Sequence, residues 1–135
     1  MQLIPYMMIR EGKCREAFDF YAKALGGDIV FSTTYGEMGG DIPDAMKPLI
    51  ANVHLVVGGA SIMGSDAMEN PEGQATTSVN IEVESVEEAE RVFAAMSEGG
   101  QVRMPLGQTA WSPRFGMVDD RYGQPWMVNC RPPQP

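Results

Sequence analysis

Two helical segments that can be laid over one another constrain this chain more than any other feature of its sequence. In the first, Cys14, Ala17, Phe18, Tyr21 and Leu25 recur at helical spacing, and Arg15, Glu16, Asp19 and Lys23 take the opposite side. Gly26-Gly27 ends that run, as a glycine pair past the last helical turn does. The second begins at Ser85, with Glu88 at the spacing of a capping box, in which each side chain satisfies the other residue's free backbone N–H. Val86, Ala89, Phe93 and Met96 form its apolar stripe, and Gly99-Gly100 ends it. EAFDFYAKALGG and EEAERVFAAMSEGG therefore share a Glu-Ala start and a Gly-Gly stop at nearly equal spacing.

The flanks extend the repeat. LIPYMMI precedes the first helix, and TTSVNIEVE precedes the second, with Val79, Ile81 and Val83 alternating with Ser78, Asn80 and Glu82 as in a half-buried strand. After the first helix come the strand-like Asp28 to Thr34, a Gly/Pro/Met-rich loop from Gly36 to Pro48, ANVHLVV, a Gly58-Gly59 turn and ASIMGSD. After the second come QVRMP, TAWSPRFGMVDD, a turn at Arg121 to Gly123, and QPWMVNC. Each half reads β-α-β-β-β, which predicts one domain over 1–135 built from modules 1–66 and 75–131, joined by a polar linker 67–74.

Composition narrows the function classes. A chain of 135 residues buries roughly two thirds of its unfolded surface, and 44% apolar with 21% charged residues sits near the globular average, so a packed core is expected. The longest mainly apolar stretch, Val53 to Met63, falls well short of the ~20 residues of a membrane helix. The N-terminal segment alternates like a strand and lacks a positively charged start, so neither membrane nor secretion is expected and the cytoplasm is the expected compartment. A net charge of −8 repels phosphate backbones, which argues against nucleic acid. Cys14 and Cys130 have no Cys or His at ligand spacing and read as buried small hydrophobes.

Three stretches, PYMMIREGKCREAFDFYAKALGG, HLVVGGASIMGSD and MPLGQTAWSPRFGMVDDRYGQPWMV, resemble in this order the PhnB-like branch of the glyoxalase/bleomycin resistance protein/dihydroxybiphenyl dioxygenase (vicinal oxygen chelate) superfamily. The resemblance implies an α+β fold of two βαβββ modules whose curved, mixed sheets surround a cleft, and often a homodimer. It does not imply one reaction, because the superfamily hosts lyases, dioxygenases, epimerases, thiol transferases and drug-sequestering proteins.

Metal-dependent relatives hold a divalent cation with His, Gln or Glu from the first strand and a later strand of each module. Carried across by strand register, the resemblance puts those positions at Pro5, His54, Ser78 and Met127, of which only His54 is a good ligand. Neighbours on the same face are Met7, Asn52, Asn80 and Asn129, and Glu82 shares the Asn80 face, so a metal site here would rest on His54 and Glu82. No cofactor is expected on this reading, with a divalent metal as the alternative.

His54, the one histidine, is the candidate catalytic group, as a general base or as a polar cleft residue bonded to Asn52 or Asn80. Trp111, Arg114 and Phe115 lie in or beside the hairpin that covers the family's cleft, where aromatics stack on flat ligands and Arg114 can hold an anionic group. With Met7, Asn52, Asn80, Met127 and Asn129 they form the expected ligand-binding set, while Trp126 reads as core. Eleven methionines are many for this length, and those in the expected strands, Met7, Met63, Met104, Met117 and Met127, divide between core and an adaptable pocket lining. The loop TYGEMGGDIPDAMKP reads as a flap or dimer contact. Nucleophilic catalysis lacks a GxSxG turn, and the glycine pairs sit at turns and helix stops, not in a cofactor loop, which disfavours methyl transfer. The leading expectation is a protein that binds a small apolar or aromatic molecule. The alternatives are a metal-dependent glyoxalase-like lyase or dioxygenase, and an interaction domain with a filled cleft.

Overall fold

The structure is a computed structural model that describes residues 1–69, 72–73 and 75–133. The chain divides into two compact units, Met1–Glu72 and Gly73–Pro135. The boundary falls in the stretch read as a linker, of which Asn70, Pro71 and Gln74 lie outside the described residues.

The first unit runs β1 (Tyr6–Ile9), α1 (Cys14–Leu25), β2 (Asp28–Thr34), the short α2 (Tyr35–Met38), a 3₁₀ turn (Asp44–Met46), β3 (Ile50–Val57) and β4 (Ala60–Asp66). The second runs β5 (Val79–Val83), α3 (Val86–Ser97), β6 (Gln101–Gly107), β7 (Phe115–Asp119) and β8 (Pro125–Cys130). The sheets are ordered β1-β4-β3-β2 and β5-β8-β7-β6, each with one parallel pair, β1 with β4 and β5 with β8, and antiparallel pairs elsewhere. The expected α+β fold of two mixed four-stranded sheets is thus present, with the same strand order in both units.

In each unit one helix covers one face of the sheet. α1 buries Cys14, Ala17, Phe18, Tyr21 and Ala24, and Met7, Ile9, Val53, Leu55 and Ile62 form the buried strand side. α3 buries Ala89, Val92, Phe93 and Met96, with Val83, Val118, Trp126 and Val128 buried in the strands. The Ser85 hydroxyl accepts the Glu88 N–H at 3.1 Å, as the cap spacing requires. Burying each large side chain stabilises by roughly 1.5–3 kcal/mol, so these stripes outweigh the helices' weak intrinsic stability.

The Gly-Gly stops have a common cause in close approach. Gly26 ends α1 in the left-handed region at φ 69°, and a Cβ on Gly27 would stand 2.6 Å from the Val56 carbonyl oxygen. A Cβ on Gly100 would likewise overlap the Asp119 carbonyl. At both sites the strand leaving the helix grazes the neighbouring backbone, where only glycine fits.

The segment read as a flap or dimer contact is partly built. Thr34 and Glu37 form a full capping box: the Thr34 hydroxyl accepts the Glu37 N–H at 3.1 Å, and the Glu37 carboxylate accepts the Thr34 N–H at 3.3 Å. Backbone bonds from Tyr35 to Leu49 and from Gly36 to Lys47 tie its two ends together.

A buried carboxylate anchors each unit. Asp66, 1% exposed, accepts the Cys14 N–H at the start of α1 at 2.9 Å and the Ile50 N–H at the start of β3 at 2.7 Å. Asp120, 3% exposed, accepts the Tyr122 N–H at 2.8 Å, the Gln124 N–H at 3.1 Å and the Trp126 indole N–H at 2.8 Å.

Both cysteines are buried and free. Burial, followed by the Asp66 carboxylate, pushes the Cys14 thiol up from 9.0 to about 12. The folded chain therefore keeps a proton that the unfolded chain releases near 9.0, and the stability tied to it is full below that pH and lost as pH rises towards 12. Urea unfolding at pH 8 and 10.5 should show wild type losing more stability than Cys14→Ala, by up to about 1.4 kcal/mol per pH unit above the unfolded pKa. Equal losses in the two proteins would refute this account of the thiol.

Candidate functional site

Strand alternation leaves the other face of each sheet without a helix. In the first unit, cross-strand register lines up Tyr6, Met63, His54 and Phe31 as one row on that face. The His54 Nε2 lies 2.8 Å from the Ser61 hydroxyl. When Ser61 donates to Nε2, the proton of a neutral ring sits on Nδ1. Tyr6 adds a long bond from its hydroxyl to the Asn52 carboxamide, 3.4 Å. Tyr6 and Phe31 are about half exposed, at 48% and 52%.

Met7 does not belong to this face. It pairs with Gly64, where an added Cβ would strike the Phe18 ring of α1, so Met7 points under the helix and is buried. The expected placement is one residue out of register, and Tyr6 and Met8 hold the open positions.

In the second unit, Asn80, Met127, Met117 and Met104 form the row, and Glu82, Asn129, Phe115 and Gly107 the next one. Trp111 stands in the loop before β7, outside any strand, 59% exposed and edge-on to Phe115 with ring centroids 5.5 Å apart. That loop is held by Thr109 and Ser112, whose backbones bond at 2.9 Å, and by the Ser112 hydroxyl, which lies 2.7 Å from both the Arg114 and the Cys130 carbonyl oxygens and donates its one proton between them. Among the described residues, five of the six strand methionines, Met8, Met63, Met104, Met117 and Met127, are thus half-buried or exposed, and Met7 is core.

Two expected ligand groups are engaged within their own unit. Arg114 donates to the Pro113 carbonyl at 2.7 Å and lies 3.6 Å from Glu90, and Glu82 accepts from the Arg131 Nε at 3.1 Å. Asn129 differs. Its Oδ1 is buried and has no hydrogen-bond partner among the described residues, a state that costs roughly 1–3 kcal/mol if nothing donates to it.

Comparing the two rows revises the metal positions carried over from the resemblance. Tyr6, Met63, His54 and Phe31 correspond in strand order to Asn80, Met127, Met117 and Met104. The counterpart of Met127 is therefore Met63, and His54 stands where the second unit has Met117. Pro5 and Ser78 fall just before β1 and β5. Thioethers occupy the central position of both units, and they are poor ligands for hard or borderline divalent ions. Among the described residues no group of three or more His, Cys, Asp or Glu side chains is placed to hold a metal ion. The donor set does not fit a resident divalent cation. Sequence reading had Met63 only as a strand methionine and missed Ser61 beside His54, since which strand a residue pairs with is not written in its local pattern.

The family model of the glyoxalase/bleomycin resistance protein/dioxygenase superfamily matches residues 3–128. The chain belongs to that superfamily. It is 32% identical to protein YjdN of Escherichia coli K12 over 148 aligned positions, covering 100% of this chain and 99% of the relative. Among solved structures it is similar to protein PA1353 of Pseudomonas aeruginosa, with TM-score 0.89 and 41% identity over 97% of this chain and 98% of that one. It is also similar to the PhnB protein of Bacillus cereus, with TM-score 0.80 and 27% identity over 96% and 99%. These relatives place it in the PhnB-like branch. Among the described residues no helix is long and apolar enough to cross a membrane.

Proposed function

We propose that this superfamily member binds a small, largely apolar or aromatic molecule, and that it does so without a resident divalent cation. The observation that carries the reading is the row Met104, Met117 and Met127 beside the Trp111–Phe115 pair on the helix-free face of the second sheet. Thioethers mould to irregular apolar shapes, and an exposed indole on a tethered loop offers a flat contact at small conformational cost. The Met63/Met127 correspondence supports the second half of the reading, because it puts sulfur where a hard-cation site needs oxygen or nitrogen.

A titration of Nile red followed by its fluorescence tests the proposal. Saturable binding is expected in wild type, with affinity at least tenfold lower in Met127→Glu, which sets a charge in the middle of the row, and unchanged by 1 mM EDTA. Equal affinity in the variant, or loss of binding on chelation, would overturn the reading.

A further inference from the structure

Resting on that reading, we infer that the ligand carries a hydrogen-bond donor, an O–H or N–H on an aromatic or otherwise flat apolar body, and that the Asn129 carboxamide oxygen receives it. Asn129 lies on β8 between Glu82 of β5 and Phe115 of β7, on the same face as Met127. Its Oδ1 is shut off from water and unpartnered among the described residues. The polar groups around it are already committed. Glu82 is held by Arg131 at 3.1 Å, Arg114 turns to the Pro113 carbonyl and Glu90, and the single Ser112 hydroxyl proton is taken up by the Arg114 and Cys130 carbonyls. An acceptor shut off from water and without a donor, beside a methionine row and a Trp–Phe pair, is a hydrogen bond that a donor-bearing ligand completes once the side chains over it move aside.

Phe115 is the side chain that pairs directly across from Asn129, and Trp111 leans on Phe115 edge-on. A flat ligand entering beside the Phe115 ring brings its edge to the carboxamide, and Trp111, which is mostly exposed, closes over it. The apolar row supplies most of the affinity, while Asn129 sets orientation and selects donor-bearing molecules. A buried acceptor discriminates because an analogue without the donor leaves it unpaired.

Two probes separate this inference from the reading beneath it. 2-Naphthol both donates and accepts, whereas 2-methoxynaphthalene only accepts, and calorimetric titration gives the affinity of each. Wild type should bind 2-naphthol about tenfold more tightly or better, a ratio of the size expected for one hydrogen bond. Asn129→Leu should bring the ratio close to one while Trp111→Ala weakens both probes alike. Equal affinities in wild type, which would follow if the carboxamide presented its NH₂ end, overturn the donor inference and leave the apolar site standing. A preference that survives in Asn129→Leu overturns the assignment to Asn129. If neither probe nor Nile red binds, the binding reading fails together with this inference.

Discussion

Asp66→Ala should lose about 3–5 kcal/mol of folding stability, since each hydrogen bond to a charged group contributes about 1.5–3 kcal/mol and this side chain receives two. The Cys14 and Ile50 N–H groups that it accepts belong to different elements, the first turn of α1 and the first residue of β3. The carboxylate therefore stands in for a helix cap from a residue distant in sequence, and it sets where β3 begins. Its removal leaves both donors buried without partners. Asp66→Asn should be little better, because one oxygen can still serve Cys14 while the new NH₂ group meets the Ile50 N–H head on. Urea unfolding followed by circular dichroism measures the loss, and a value below about 1 kcal/mol would mean that water takes the place of the carboxylate.

Asp120→Ala should cost a similar 3–5 kcal/mol, for a related reason in the second unit. Here one carboxylate closes the β7–β8 turn through the Tyr122 and Gln124 N–H groups and satisfies the indole of Trp126, which is 1% exposed. An indole N–H without a partner in the core is costly, and rotation to find one would break the packing of the largest buried side chain. A drop in melting temperature of about 10 °C or more is expected. The tryptophan emission of the variant should also change in the folded state. An unaltered spectrum with unaltered stability would show that the indole does not depend on Asp120.

Much of this architecture was legible without coordinates. The 3.6-residue stripes, the Ser85 cap, the Gly-Gly stops and the alternation in β5 are local patterns, and local patterns survive in sequence because the backbone imposes them over a few residues. Strands formed in each of the expected stretches, but TAWSPRFGMVDD pairs only over Phe115–Asp119, and its first half, with Trp111, is a loop. Less legible was anything set by pairing. Met7 alternates correctly within β1, yet which parity faces the helix is decided by Phe18 packing against Gly64 across the sheet. Likewise Asp66 read as the end of a strand, and nothing in its neighbourhood announces that its two partners lie near residues 14 and 50.

The sequence by itself determined the two βαβββ units, the helix boundaries, the core character of Trp126 and both cysteines, and membership of the superfamily, because each follows from short-range periodicity or from ordered motifs. Only the tertiary structure decided that Met63 is the counterpart of Met127, that Ser61 joins His54 and that the Asn129 oxygen is left without a donor. Those facts depend on strand register and on the direction of side chains across a sheet. A shift of one residue exchanges the two faces of a strand, and its local pattern alone does not say which face the helix will cover.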